Sequence, residues 1–122
     1  PSSATTLDTL VVGAGPAGIG TAIALSAIDD LVFGVVDRGV IGQTFLDWPE
    51  EQTFLTPSFT GNGFGATDLN AVHFATSPAF TLGTDYPTGR EYARYLRAVA
   101  THFRLPIMTN TEVLTVDRTD DV

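Results

Sequence analysis

Apolar positions in the first third of the chain come in continuous runs instead of alternating with polar ones. Thr5 to Val12 ends in Leu10-Val11-Val12, and Leu31-Val32-Phe33-Gly34-Val35-Val36 is apolar throughout. Such runs predict parallel strands buried on both faces, with the first of them central in its sheet. Between them Ile19, Ala22, Ile23 and Leu25 follow Pro16 among small residues. This predicts a mostly buried helix that closes at Asp29-Asp30. Pro16 suits its first turn, where a missing N–H costs little.

The pattern changes from Arg38 to Tyr86, where glycine, proline, threonine and aromatics alternate with no sustained helical period. A stretch of this length inside a compact domain binds something or packs on another part of the protein. Its aromatics, Phe45, Trp48, Phe54, Phe59, Phe64, Phe74 and Phe80, are expected mostly to fill core, with one or two free to line a flat heteroaromatic ring. Helical spacing returns after Thr88-Gly89-Arg90-Glu91, a capping-box sequence. Tyr92, Tyr95, Leu96, Val99 and Phe103 then form one apolar stripe, and Pro106 predicts a stop near Leu105. Ile107-Met108 and the segment from Glu112 to Arg118 read as further strands.

The junction between the first strand and helix carries the chemistry. Gly13, Gly15 and Gly18 stand at G-x-G-x-x-G spacing. Gly13 permits a sharp turn, Gly15 a close backbone approach to a pyrophosphate, and Gly18 close packing of helix on strand. The helix then offers unpaired N–H groups and its positive dipole end to an anion. Asp37 ends the second strand about 20 residues after the glycines, where a carboxylate accepts hydrogen bonds from ribose hydroxyls. That carboxylate also repels a 2′-phosphate, so an unphosphorylated adenosine is expected here and NADP is disfavoured at this site. The fold class is α/β: a Rossmann-like βαβ unit with a parallel sheet.

Composition narrows the partners. A chain of 122 residues, 43% of them hydrophobic, accommodates one core. A net charge of -8 argues against nucleic acid and anionic membranes as partners. All six basic residues are arginines, and Arg90, Arg94, Arg97 and Arg104 read as the solvated face of the last helix. No cysteine is present, and His73 and His102 lack paired spacing, so no metal site is expected. His73 is expected to be structural or at the surface. No run approaches the roughly 18 apolar residues of a membrane span, which makes a cytoplasmic protein the default.

Several segments carry a family resemblance. Asp8 to Gly18 resembles the FAD-binding opening of flavoproteins with two dinucleotide-binding domains. Asp37 to Phe45 resembles their next segment, in which an acidic-basic pair meets the ribose and a Gly-Gly-x-Trp-like turn lies along the flavin. Leu55-Thr56-Pro57 and the segment Asp85 to Tyr92 are similar to the flavin-containing monooxygenase-like branch and its bacillithiol disulfide reductase-like relatives. The resemblance implies FAD at Gly13, Gly15, Pro16, Ala17, Gly18, Asp37, Arg38, Gly42, Gln43, Thr44 and Val113, with Trp48 and Thr56 assigned less directly. It also implies NAD(P)H as reductant of the complete enzyme. Gln43 and Phe45 depart from the glycine and tryptophan of the family turn, and Phe45 stands where disulfide-reducing members carry a redox cysteine.

The second, NAD(P)H-binding glycine motif is absent from these residues. The expectation is therefore a single incomplete FAD-binding domain spanning residues 1–122, completed by the remainder of a flavoprotein or by a second subunit. Homo-oligomerisation stays open. No catalytic acid, base or nucleophile is assigned. Two other readings stand beside an FAD-dependent oxidoreductase: a non-catalytic nucleotide-binding or assembly module acting with a second chain, and an NAD-dependent dehydrogenase domain.

Overall fold

The computed structural model describes residues 5–59 and 68–119. β1 (Thr9–Val12) pairs in parallel with β2 (Phe33–Val36), Thr9 opposite Phe33 and Val12 opposite Val36. β3 (Ile107–Met108) adds to the other side of β2, with Val35 opposite Ile107, so the sheet order is β1-β2-β3. Both N-terminal strands are shorter than their apolar runs. Leu31 and Val32 fall outside the ladder, yet Val32 is tied to Asp8, donating from its N–H to Oδ2 and accepting at its carbonyl from the Asp8 N–H.

The expectation that β1 is central and buried on both faces does not hold among the described residues. Leu10 is 46% and Val12 63% exposed, in the alternation of a strand covered on one face. A continuous apolar run identifies a parallel strand but not its place in the sheet. β2 takes the middle position, and its Val35 and Val36 are buried.

α1 (Pro16–Ser26) packs against both strands, with Pro16 in its first turn. Its Ile19, Ala22 and Ile23 meet Tyr92, Tyr95, Leu96 and Val99 of α4 (Gly89–His102) around Val35, forming the core. Each fully buried Ile or Leu, such as Ile19 and Leu96, contributes about 1.5–3 kcal/mol. Arg90, Arg94 and Arg97 are exposed on the opposite face of α4, as expected.

Both ends of α4 are built from local hydrogen bonds. At its start, Glu91 N–H donates to Thr88 Oγ1 (3.2 Å) and Thr88 N–H donates to Glu91 Oε1 (2.9 Å), completing the capping box. The helix ends at His102, earlier than the Pro106 rule indicates. Arg104 takes a left-handed φ of 53°, its N–H donates to Thr101 O, and Leu105 N–H donates to Ala100 O. This is a Schellman ending with arginine where glycine is usual. Arg104→Gly is accordingly expected to raise stability by about 0.5–1 kcal/mol, since it relieves a left-handed side-chain conformation. The urea midpoint measures it.

Between β2 and α4 lie two short helices, α2 (Gln43–Leu46) and α3 (Pro78–Leu82). Phe45, Trp48 and Phe54 pack with Tyr92 in one aromatic cluster, with Phe45 4.7 Å and Phe54 4.5 Å from the Tyr92 ring. Phe59 is half-buried, whereas Phe74 and Phe80 are exposed and fill no core; Phe64 lies outside the described residues. His73 is structural: Nδ1 accepts from Ala75 N–H, and the ring lies 4.9 Å from Phe103. His102 is exposed.

A buried polar network fixes the rest of this stretch. Asp68 accepts hydrogen bonds from Phe59 N–H, Asn70 N–H and the Ser77 hydroxyl. The Asn70 side-chain amide donates to Thr56 O and Ser58 Oγ, and Tyr92 Oη donates to Asn70 O at 2.6 Å. Tyr95 Oη accepts from Val72 N–H and lies 2.6 Å from Thr76 Oγ1. Burial pushes the Tyr92 phenol well above its ordinary 10.0, reinforced by Tyr95 and Asp68. Burial also raises Tyr95, partly offset by its bonds to Thr76 and Val72.

The folded state therefore keeps these protons after the unfolded chain has released them. Stability is expected to be flat up to about pH 9 and to fall above about pH 10. The fall should be shallower in the double variant Tyr92→Phe/Tyr95→Phe. Urea midpoints across that range measure both.

The strand expected from Glu112 to Arg118 does not form. Thr111 N–H donates to Asp37 O, but the following residues join no ladder, and Leu114 and Val116 are exposed. An extended segment becomes a strand only beside a partner edge, and this segment pairs with neither outer edge of the sheet, on β1 or on β3.

Candidate functional site

A cleft of about 490 Å³ opens where the three parallel strands end. Val12 and Gly13 follow β1, Asp37 and Arg38 follow β2, and Thr111, Glu112 and Val113 follow β3; Gly15 and Pro16 open α1, and residues of α2 close the remaining side. Open parallel sheets bind ligands outside the carboxyl ends of their strands.

The glycine turn is shaped for close approach. Gly13 has φ 113°, a conformation side chains rarely adopt, and its N–H donates to Val36 O at 2.7 Å. A Cβ on Gly18 would collide with the Gly13 carbonyl, so helix and turn are in contact there. A Cβ on Gly15 would meet nothing within 4 Å, since its surface faces open space. Gly15 is also the N-cap of α1 and supplies no side-chain cap, leaving the first N–H groups of the helix for another acceptor.

Asp37 ties the strand ends together. Its Oδ2 accepts from Ala14 N–H and its Oδ1 from Gly39 N–H, both at 2.8 Å. Asp37 N–H donates to Met108 O, Asn110 N–H to Gly39 O, and Gly42 N–H to Ala14 O. The segments after β1, β2 and β3 thus form one hydrogen-bonded rim. An ionised carboxylate offers about four acceptor positions, so acceptor capacity remains for a ligand hydroxyl.

Nine of the residues singled out from the sequence line this cleft: Gly13, Gly15, Pro16, Asp37, Arg38, Gly42, Gln43, Thr44 and Val113. Four do not. Ala17 is exposed beyond the turn, and Gly18 packs beneath it. Trp48 stands in the aromatic cluster, 5.0 Å from Phe45, and Thr56 is exposed with its carbonyl bonded to Asn70. The cleft also contains Phe45, Thr111 and Glu112, which the resembling segments included, and Val12 and Asp47, which the sequence did not single out as site residues. Asp47 lies one turn after Gln43 and accepts from Gln43 Nε2 at 3.1 Å, a pairing legible only once the single-turn helix α2 is known. Among the described residues no group of three potential ligands is placed to hold a metal ion. No helix there is long and apolar enough to cross a membrane.

Fold and cleft together define an α/β domain of the Rossmann-like dinucleotide-binding class. Residues 10–122 match the family model described as pyridine nucleotide-disulphide oxidoreductase, and the chain belongs to that family. It is 29% identical over 120 residues to an uncharacterized CzcO-like oxidoreductase of Geobacillus kaustophilus, covering 95% of this chain and 30% of that protein. Its fold is similar to the bacillithiol disulfide reductase of Bacillus cereus, with TM-score 0.70 and 19% identity, covering 96% of this chain and 32% of that one. It is also similar to the FAD-bound cadaverine monooxygenase of the desferrioxamine pathway from Erwinia amylovora, with TM-score 0.63 and 19% identity, covering 97% and 29%. The chain therefore spans about a third of the length of the relatives it matches.

Proposed function

We propose that this chain forms the FAD-binding part of an FAD-dependent, NAD(P)H-using oxidoreductase of the monooxygenase-like or reductase-like kind. The observation that carries the reading is the rim at the strand ends, where the Gly13 to Pro16 turn, Asp37 and Gly42 to Thr44 face one cleft. The residues present fit a dinucleotide. Open space over Gly15 and the uncapped start of α1 suit a pyrophosphate. Asp37 suits the ribose hydroxyls, Arg38 adds a positive charge, and the backbone at Val113 suits an adenine edge. Flavin held there would supply the redox chemistry, as the electron carrier between a nicotinamide and an acceptor.

This chain's own residues bind and orient. The helix start and Arg38 offset phosphate charge, while Asp37 holds the turn to which the phosphates dock. Leu10, exposed on β1 outside the cleft, supports a covering by the rest of the protein or by a second subunit. The cytoplasmic location expected from the sequence is part of the same proposal. The test is to mix the protein at its natural length with FAD and pass it through a sizing column. Co-elution with a flavin spectrum is the expected result, and absence of any flavin uptake removes the reading. Tight NAD binding without FAD uptake would favour the dehydrogenase alternative.

A further inference from the structure

We infer that Gln43 is a positioning residue that tempers the charge of Asp47 and so makes the cleft compatible with a pyrophosphate. This rests on the dinucleotide reading above. Among the described residues three carboxylates line the cleft, Asp37, Asp47 and Glu112, against the single cation Arg38. An anionic ligand is repelled least where the carboxylates are hydrogen-bonded within the protein or turned to solvent, because like charges at short range repel. Asp37 is committed to Ala14 N–H and Gly39 N–H. Asp47 and Glu112 are both exposed; Glu112 is left to solvent screening, whereas Asp47 Oδ1 accepts from one side chain, Gln43, through Nε2.

The Gln43 side chain is itself held at three points. Its Oε1 accepts from Val40 N–H at 3.3 Å, its Nε2 reaches Asp47, and its stem packs where a Cβ on Gly39 would stand. That fixed amide is a bridge from the loop after β2 to α2, with its donor end on the carboxylate. At the position where the resembling flavoproteins carry glycine, this chain thus has a side chain whose polar atoms are both used inside the protein. Its role towards the ligand is indirect, through Asp47.

The test compares FAD, ADP and adenosine as ligands of the natural-length protein at low ionic strength. Gln43→Ala is expected to weaken FAD and ADP about three- to tenfold while leaving adenosine unchanged. The loss should shrink as salt is added. Gln43→Ala/Asp47→Asn should recover the affinity for FAD and ADP, because the released carboxylate is then gone. Equal weakening of all three ligands, or no recovery in the double variant, means that Gln43 merely stiffens the loop, and overturns the inference. Unchanged FAD and ADP binding in Gln43→Ala overturns it as well. If the unsubstituted protein takes up neither FAD nor ADP, the dinucleotide reading itself fails, an outcome distinct from any difference among the variants.

Discussion

Gly18→Ala is expected to cost about 3 kcal/mol of folding stability and most of the uptake of FAD. The added methyl group has no space, because it would fall on the carbonyl of Gly13. Backbone must give way, and the atoms that move belong to the turn that frames the cleft. Gly15→Ala is the informative contrast. Gly15 has an extended backbone, φ -88° and ψ -168°, and nothing lies within 4 Å of the new methyl. Its stability should therefore change by less than about 0.5 kcal/mol, while FAD affinity falls because the methyl occupies the phosphates' approach. Urea unfolding and flavin titration on the two variants separate a packing glycine from an approach glycine. If Gly18→Ala unfolds at the same midpoint as the parent, the close contact of α1 with the turn is refuted.

Asp37→Ala should remove two anchors at once. It leaves the N–H groups of Ala14 and Gly39 without their acceptor, which costs about 2 kcal/mol for a half-buried pair. FAD affinity should drop about 100-fold, equivalent to about 2.7 kcal/mol, because the ribose acceptor and the shape of the turn are lost together. Asp37→Asn retains one acceptor oxygen and sets an NH2 group against the other N–H, so it should fall between the parent and the alanine variant. Calorimetric titration beside urea unfolding measures the two effects. A large loss of affinity with no loss of stability would mean that Asp37 contacts ligand alone and does not hold the rim.

The local rules written in the chain are those that the fold obeys most closely. Three glycines, Pro16 and two apolar runs specify a βαβ opening because each acts within a few residues, and Thr88 with Glu91 specifies a helix start for the same reason. What the chain hides is set by distant neighbours. The apolar run at Leu10 looks alike in a middle strand and in a flanking one. Glu112 to Arg118 has strand composition but runs beside neither free edge of the sheet. Arg104 ends α4 in a backbone conformation normally marked by glycine, so the stop is invisible in advance. The cleft shows the same division: the glycines and Asp37 are legible from spacing, whereas Asp47 enters only through its bond to Gln43, and the Asp68 network only once the loop is folded.

Trp48 gives the cleft an optical consequence. It is the only tryptophan in the chain, and its ring lies 5.0 Å from Phe45, which lines the cleft. The indole is half-buried yet stands off the ligand space. Its emission is therefore expected to change on loading, from one ring behind the cleft wall. Within these residues the one indole thus stands where both the filling of the cleft and the loosening of the aromatic cluster are expected to change its emission.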